Sequence, residues 1–239
     1  MATACSELQA VILAGGLGTR LRPLTETIPK AMVPVLGRPF IDRQIELLKG
    51  GGVDDLVICA GHLGEAIERH LGDGRRLGVR IEYSYDGPRL LGPAGALKRA
   101  RKYLGDTFFV TYGDAYLRAP YRKVMGALVG SGGLGLMAVY RNENRHGASD
   151  VDVRRGMVVS YDKTSGGRGF SWINYGLTAL RREALDFIPQ GRACGEEEFY
   201  GVLIARKQLL AFPVTKRFYE IGTLESLAEF ERFVARQVA

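Results

Sequence analysis

The stretch "VILAGGLGTRL", residues 11–21, places a glycine-rich turn and an arginine directly after an apolar run. Glycines in such a turn let backbone N–H groups approach an oxyanion without a Cβ in the way. In an open parallel sheet, the first strand–helix turn is the usual phosphate cradle. The stretch therefore predicts a turn that holds a dinucleotide or a nucleoside triphosphate, with a purely structural turn as the third alternative.

Two well-known glycine motifs do not fit this turn. Gly16 and Gly18 satisfy the first part of the dinucleotide fingerprint G-x-G-x-x-G, but Leu21 stands at its third glycine. The Gly-Lys-Ser/Thr end of a nucleotide-triphosphate P-loop is missing as well. The missing third glycine disfavours an NAD-dependent oxidoreductase, a hypothesis that tight binding of NAD would restore.

The segment after the turn, "RLRPLTETIPKAMVPVLGRPF" (20–40), is basic and punctuated by prolines. Four prolines forbid a long helix here, and they are Pro23, Pro29, Pro34 and Pro39. The segment is therefore expected to be rigid and extended, with Arg20 and Lys30 available from either end.

Together, "GGLGTRLRPLT" and "PKAMVPVLGRP" resemble, almost residue for residue, the two-part signature of the sugar-1-phosphate nucleotidyltransferases, or NDP-sugar pyrophosphorylases. The resemblance covers nearly the whole chain, through "GPAGAL" (92–97), "YGDAYL" (112–117), "YDK" (161–163), "INYGL" (173–177) and "FYEIGTLESLAEF" (218–230). It implies an α/β, Rossmann-like nucleotidyltransferase domain with Mg²⁺ as cofactor. The implied reaction joins an NTP and a sugar 1-phosphate into a nucleotide sugar and pyrophosphate.

The resemblance implies roles for the charged residues. Arg20 and Lys30 match residues that grip the phosphates, because an arginine fork suits the departing pyrophosphate and a lysine point charge suits the α-phosphate. Asp114 follows the predicted strand "TFFVTY" and, although a carboxylate there is often only a helix cap, it matches the aspartate that binds magnesium. Glu220 matches the second metal carboxylate, where many members of the family have aspartate.

The resemblance also implies the residues of two binding regions. The sugar-phosphate region comprises Asp162, Lys163, Asn174 and Gly176, with Lys163 neutralising the phosphate and Tyr175 either a core residue or a sugar platform. The nucleotide region comprises Leu13, Gly15, Gly16, Gly18, Thr19, Arg20, Gly92 and Gly95. Pro93 stands where threonine is more familiar in the family.

The short chain and its ending "YEIGTLESLAEF" are most similar to a compact bacterial branch of the family. That branch includes heptose 1-phosphate guanylyltransferases and N-acetylmuramate 1-phosphate uridylyltransferases. Guanylyl transfer from GTP to heptose 1-phosphate is the expected reaction, and uridylyl transfer to N-acetylmuramate or hexose 1-phosphate is the alternative. A non-catalytic homologue that binds nucleotide sugars is a further alternative, which the joint presence of the matched cations and carboxylates disfavours.

Strand-like runs alternate with helical stripes in the first half of the chain. Short β-branched or aromatic runs predict strands at 8–14, 55–60, 78–83 and 107–112. Apolar residues at helical spacing predict the intervening helices, as at Ile41, Ile45 and Leu48, at Leu63, Ile67 and Leu71, and at Leu97, Ala100 and Leu104. This alternation predicts a mostly parallel central sheet with helices on both faces.

The second half of the chain is strand-rich. Strand-like runs lie at 133–140, at 150–163 with a hairpin turn near Gly156, at 170–180 and at 209–214. Thr223 is placed to cap a last helix whose apolar stripe is Leu227, Phe230 and Val234. We expect a single domain over 1–239, with a nucleotide-binding half (1–117) and a half (118–239) that carries the sugar site and the C-terminal helix.

Composition restricts the partners and the compartment. Residues 75–102 carry eight basic and two acidic side chains, but they lack the aromatic interleaving of a nucleic-acid surface, so no nucleic-acid partner is expected. No run approaches the roughly 18 apolar residues of a membrane helix, and no secretory signal is visible. Cys5, Cys59 and Cys194 suggest neither disulfides nor zinc. A cytoplasmic monomer or homodimer is expected.

Overall fold

The computed structural model describes residues 8–238, so Cys5 lies outside the described residues. The strands are β1 (Leu8–Ala14), β2 (Pro34–Val35), β3 (Arg38–Pro39), β4 (Val53–Ala60), β5 (Arg80–Tyr85), β6 (Thr107–Tyr112), β7 (Ala115–Tyr116), β8 (Gly135–Arg141), β9 (Val151–Arg154), β10 (Met157–Tyr161), β11 (Trp172–Arg181), β12 (Leu209–Val214) and β13 (Tyr219–Glu220). The α-helices are α1 (Phe40–Gly50), α2 (Gly64–Leu71), α3 (Gly92–Ala100), α4 (Tyr121–Val129), α5 (Glu196–Ala205) and α6 (Leu224–Val238).

One mixed sheet of nine strands organises the described residues, in the order β5-β4-β1-β6-β11-β8-β12-β10-β9. The strands β5, β4, β1 and β6 are mutually parallel. Of the nine, β11 and β10 run opposite to the rest. The predicted mostly parallel central sheet is confirmed, and both antiparallel strands come from the strand-rich second half.

Helices cover both faces of this sheet, as predicted. Successive side chains of a strand point to opposite faces. Ala10 and Ile12 of β1 accordingly pack with residues of α1, α2 and α4, whereas Val11 packs with residues of α3 and α5. Each face thus has its own core, and the carboxyl ends of the parallel strands stay free to form a site.

A third, smaller core holds the proline-punctuated segment in place. Buried Leu21, Val33 and Val35 pack against α6, whose Phe230 ring lies 5.3 Å from that of Phe40. Thr223 Oγ1 accepts a hydrogen bond from the Ser226 N–H at 3.2 Å, which confirms it as a cap of α6. The C-terminal helix therefore fixes the loop that carries the predicted phosphate-gripping cations.

The structure differs from the sequence-based expectations in a few elements. Helices α4 and α5 were not predicted; α5 begins with an acidic run and its apolar residues are nearly consecutive, which hides the helical period. Strand β5 begins two residues later than predicted, because Gly78 still belongs to the preceding turn with φ +69°. The hairpin between β9 and β10 does turn at Gly156, with φ positive there and at Arg155.

Candidate active site

A cavity of about 350 Å³ lies beside the glycine turn, at the carboxyl ends of β1 and β6. Most of the residues predicted to bind the nucleotide line it, namely Leu13, Gly15, Gly16, Gly18, Thr19, Arg20 and Gly92. Lys30, Asp86, Pro93, Tyr112, Asp114 and Gly222 complete much of the wall. The cavity therefore brings the glycine turn together with Gly92 at the start of α3.

Gly95 is an exception to this agreement. It is absent from the cavity wall, and a Cβ there would lie 2.9 Å from Leu91 Cβ and 3.5 Å from the backbone nitrogen of Cys194. Its N–H donates a hydrogen bond to the Cys194 carbonyl at 3.3 Å. Gly95 thus lets the first turn of α3 pack closely on the segment before α5, and its contact with the nucleotide stays a prediction.

The geometry of the turn explains its glycines. Gly18 has a left-handed φ of +62°, and its carbonyl accepts hydrogen bonds from the Leu21 N–H at 2.9 Å and the Thr25 hydroxyl at 2.8 Å. A single 3₁₀ turn over Thr19–Leu21 follows, with Leu21 fully buried. Because Leu21 anchors this turn in the core, Arg20 is left exposed at the cavity.

Close approach of β1 and β6 brings the first carboxylate to the turn. Gly113 donates its N–H to the Leu13 carbonyl at 2.9 Å, and a Cβ on Gly113 would lie 3.0 Å from Ala14 Cβ. Asp114 follows at once, and its carboxylate forms an ion pair with Lys30. Lys30, the predicted phosphate-binding cation, and Asp114, the predicted magnesium ligand, are thus in direct contact.

The second predicted carboxylate reaches the same place through a short strand pair. β13 pairs with β7, and the Ile221 N–H donates to the Asp114 carbonyl at 3.0 Å. The Glu220 carboxylate accepts a hydrogen bond from the Gly222 N–H. A Cβ on Gly222 would clash with that carboxylate and lie 3.3 Å from Nη2 of Arg20. The Glu220 and Arg20 side chains therefore both lie beside Gly222, but Glu220 lines the neighbouring cavity with Arg145 and His146 rather than the cavity beside the glycine turn.

The predicted sugar-phosphate region, called the sugar side below, centres on Lys163, just after β10. Its Nζ donates to the Glu196 carboxylate, whose other oxygen accepts from the Tyr112 hydroxyl. Lys163 is also close enough to Asp114 and Arg20 for their charges to act on it. Tyr112 and Glu196 therefore link the sugar side to the cavity.

The other residues predicted at the sugar side have mainly local partners. Asp162 accepts hydrogen bonds from the Thr164 N–H at 2.7 Å and its hydroxyl at 2.6 Å, which hold the turn that carries Lys163. Asn174 Oδ1 accepts from the Gly176 N–H at 2.9 Å. Gly176 has φ +88° at an irregularity in the pairing of β11. These three residues shape the backbone beside Lys163.

Tyr175 and two buried acids complete this region. Tyr175 is 1% exposed, with its ring 5.9 Å from that of Phe218, so it is a core residue rather than a sugar platform. Asp150 accepts a hydrogen bond from the Asn174 N–H at 2.7 Å, and burial raises the pKa of Asp150 to about 6. Burial, with Glu197 alongside, raises the pKa of Glu196 to about 8. Burial lowers the pKa of Lys163, and nearby acids oppose that shift.

Sequence reasoning missed four polar residues of the site: Asp86, Tyr112, Asp150 and Glu196. Each gains its place from tertiary contacts between distant segments, since Glu196 is 33 residues from Lys163 and 84 from Tyr112. An acidic run at 196–198 directly before an apolar stretch was the signal available, and it favours a helix start as readily as a site.

Similarity to known proteins agrees with this geometry. The chain is 32% identical over 201 residues to the UTP--glucose-1-phosphate uridylyltransferase of Synechocystis sp., covering 77% of this chain and 52% of the relative. It is 31% identical over 223 residues to the mannose-1-phosphate guanyltransferase of Saccharomyces cerevisiae, covering 90% of this chain and 61% of that one. This chain spans between half and two thirds of the length of these curated relatives.

A solved structure and a family model extend over more of the chain. The crystal structure of HddC from Yersinia pseudotuberculosis complexed with GMP-PN has a TM-score of 0.79 at 27% identity, covering 95% of this chain and 99% of that one. The model described as nucleotidyl transferase matches residues 9–237. The cavity beside the glycine turn thus lies in a chain that belongs to the nucleotidyl transferase family.

Proposed function

We propose that this chain transfers a nucleotidyl group from a nucleoside triphosphate to a sugar 1-phosphate, with GTP and a heptose 1-phosphate as the substrates. The observation that carries the proposal is the gathering of cations and carboxylates beside the glycine-lined cavity: Arg20, Lys30 and Lys163 with Asp114 and Glu220. Two relatives are named for glucose 1-phosphate and mannose 1-phosphate, which supports the substrate class.

The proposed reaction is attack by a sugar-phosphate oxygen on the α-phosphorus of the nucleotide. A new P–O bond forms, the bond to the bridging oxygen of the β-phosphate breaks, and pyrophosphate leaves with the electron pair. The nucleophile is already an anion, so no general base is needed. The site must instead align two polyanions and neutralise the charge they share. The clustered cations suit that task.

Each of the three cations is placed to neutralise a different phosphate group. Exposed Arg20 lies at the turn, where its fork suits the departing pyrophosphate. Lys30 lines the cavity beside Asp114 and suits the α-phosphate. Lys163 lies on the side of Asn174 and Gly176, where it suits the sugar phosphate. Among residues 8–238, the proposed nucleotide half (1–117) supplies the cavity wall apart from Gly222, and the sugar half (118–239) supplies Lys163 and Glu220.

The donor set fits a magnesium ion. Asp114 and Glu220 are hard oxygen ligands on adjoining backbone segments, because the Ile221 N–H donates to the Asp114 carbonyl, and Mg²⁺ is usually held by one or two carboxylates together with substrate phosphates. Within residues 8–238 there is no cluster of three or more His, Cys, Asp or Glu side chains that would form an all-protein cage. Bound there with the nucleotide, the ion would neutralise charge on the phosphates.

Asp86 supports guanine as the base. It is 7% exposed, lines the cavity between Gly15 and Gly92, and accepts a hydrogen bond from the Leu91 N–H at 3.2 Å. An ionised carboxylate only accepts hydrogen bonds. Guanine presents N1–H and N2–H₂ side by side, whereas uracil and thymine set one N–H between two carbonyl oxygens that a carboxylate would repel. The bound GMP-PN of HddC is consistent with this preference.

Pyrophosphate release tests which nucleoside triphosphate the enzyme uses. The protein is incubated with Mg²⁺, heptose 1-phosphate or mannose 1-phosphate, and each of GTP, ATP, CTP, UTP and dTTP in turn. We expect release with GTP far above the others. Release with UTP instead would replace guanylyl by uridylyl transfer. Absence of release with every pair, together with measurable binding of nucleotide sugars, would favour a non-catalytic homologue.

Asp86→Asn sharpens the assignment of the base. The amide keeps the volume of the side chain but offers both a donor and an acceptor, so it no longer selects for adjacent donors. We expect kcat/KM for GTP to fall about tenfold or more, as for the loss of a charged hydrogen bond worth roughly 1.5–3 kcal/mol, while kcat/KM for UTP holds or rises. Equal losses for both nucleotides would show that Asp86 does not read the base.

We also infer the compartment and the oligomeric state of the enzyme. No helix among residues 8–238 is long and apolar enough to cross a membrane. Cys59 and Cys194 are free thiols, which supports a reducing compartment. We place the reaction in the cytoplasm, carried out by a monomer or homodimer without a nucleic-acid partner.

A further inference from the structure

A buried carboxylate that takes no part in the proposed chemistry holds the lysine of the sugar side. Glu196, the first residue of α5, binds Lys163 with one oxygen and the Tyr112 hydroxyl with the other. The Glu196 side chain is 8% exposed, whereas that of Lys163 is 43% exposed. Lys163 is therefore the member of the pair that an incoming solute can reach.

The surroundings of this pair are rich in acids. Glu197, Asp150 and Asp114 each act on Lys163 and favour its charged form, and Arg20 opposes them. Tyr112 of β6, and Glu197 and Tyr200 of α5, are the other titratable groups that face Glu196. A phosphate dianion that arrives at Lys163 consequently meets a buried carboxylate behind it.

Lys163 cannot satisfy two buried anions at once. When the lysine turns to a phosphate, Glu196 is left without a cation, and an unpaired buried charge is strongly unfavourable. Burial and the neighbouring Glu197 raise the pKa of Glu196 to about 8 while Lys163 is still beside it, and loss of the lysine raises that pKa further. A carboxyl in that state binds a proton near neutral pH.

We propose, on the basis of the function proposed above, that Glu196 is a positioning residue that holds Lys163 in the empty site and takes up one proton from solvent when Lys163 transfers to the sugar phosphate. The proton binds a carboxylate oxygen of Glu196, and the ion pair with Lys163 is exchanged for one between Lys163 and the phosphate. No covalent bond of the substrate changes in this step. The Tyr112 hydroxyl keeps the neutral side chain in place.

Proton uptake gives the affinity for sugar phosphate a pH dependence of known sign. Each binding event consumes a proton, so affinity falls as the pH rises, by at most tenfold per pH unit. The fall extends upward from the pKa of Glu196 in the empty site, which burial raises to about 8, because the pKa rises further once Lys163 has left. The KM for GTP is expected to stay flat, because Glu196 does not line the nucleotide cavity.

Calorimetric titration counts the proton directly. Heptose 1-phosphate and mannose 1-phosphate are titrated at about pH 8.5, above the empty-site pKa of Glu196 of about 8 and above the second pKa of a phosphate monoester at about 6, in two buffers of different ionisation enthalpy. We expect uptake of up to one proton per site in the wild type and almost none in Glu196→Gln. Glu196→Gln should also lose the rise in sugar-phosphate KM between about pH 8 and about pH 9.

Two further variants keep the test decisive. Glu198→Gln is the matched control, since Glu198 lies on the same helix but pairs with Arg192 at the surface, and it should behave as the wild type. Lys163→Met removes the held cation, so Glu196 is already protonated, and whatever sugar phosphate still binds should do so without proton uptake, even if Glu196→Gln fails to fold.

The outcomes separate this inference from the proposed function. Binding with equal proton counts in the wild type and Glu196→Gln would overturn the proton-linked exchange while leaving the transferase intact. A wild-type protein that binds neither sugar phosphate would overturn both. Uptake that disappears in Glu196→Gln and persists in Glu198→Gln supports the exchange.

Discussion

The nucleotide side and the sugar side of the candidate site are built by different means. The nucleotide side is a run of neighbouring residues shaped by glycine, in which the cation Arg20 is exposed and Lys30 contacts a partly open carboxylate. The sugar side is assembled from β6, β10 and α5, and its carboxylates Asp150 and Glu196 are buried. One side depends on backbone geometry and the other on buried charge.

This difference predicts how each side responds to change. Buried carboxyls with pKa values raised to about 6 and about 8 titrate close to neutral pH, so sensitivity to pH belongs to the sugar side. The nucleotide side has a left-handed glycine and close backbone contacts, so it should respond to added side-chain volume. Substitutions on the two sides should accordingly separate in their effects on KM, stability and pH profile.

The largest effect is expected where the two sides meet, at Asp114. Asp114→Asn keeps the shape of the side chain but removes the charge that pairs with Lys30 and would bind magnesium. Turnover should fall to background with little change in Tm, as measured by pyrophosphate release and thermal unfolding. Asp106→Asn, which affects an exposed partner of Arg182, is the control. Near-normal activity of Asp114→Asn would contradict the metal assignment.

A smaller but still large effect is expected on the nucleotide side. Arg20→Ala should lower kcat by about 10²-fold or more, the loss typical of a donor that acts in the transition state. Arg22→Ala makes the same change of charge two residues away, outside the residues that line the cavity, and should be nearly neutral. If Arg20→Ala weakened only the affinity for GTP, Arg20 would be a binding residue without a role in the chemical step.

The smallest effect concerns the shape of the turn. Gly18→Ala places a Cβ 2.9 Å from Thr25 Cγ2 at a φ of +62°. A left-handed non-glycine residue costs about 1–2 kcal/mol, or roughly 2–8 °C in Tm for a chain of this size. Gly16→Ala meets nothing within 4 Å, so it should keep the wild-type Tm and weaken GTP binding alone. Equal Tm values for the two variants would show that Gly18 is not strained by a side chain.

The nucleotide side could be predicted from the sequence much better than the sugar side. β1, β6 and β12 have their predicted bounds, because short apolar runs between glycines or charges define strands locally. Arg20, Lys30 and Asp114 lie within or beside continuous motifs, and the structure brings them to one cavity. Local sequence was sufficient wherever neighbouring residues build the feature.

The sequence could not predict the buried acids. Glu196 meets Tyr112 and Lys163 only after α5 has packed on the sheet, and no spacing in the chain encodes that contact. Nor did the glycine motif around Gly95 predict its close packing against Leu91 and Cys194. Tertiary contacts decide both cases.

One measurement tests the central claim most directly: the formation of GDP-sugar and pyrophosphate in the same reaction mixture. Wild-type protein is given GTP, Mg²⁺ and heptose or mannose 1-phosphate, with each component omitted in turn. We predict equal amounts of GDP-sugar and pyrophosphate when all three are present and neither product when one is absent. Consumption of GTP without a sugar phosphate, or binding of both substrates without any GDP-sugar, would contradict a transferase site at this edge of the sheet.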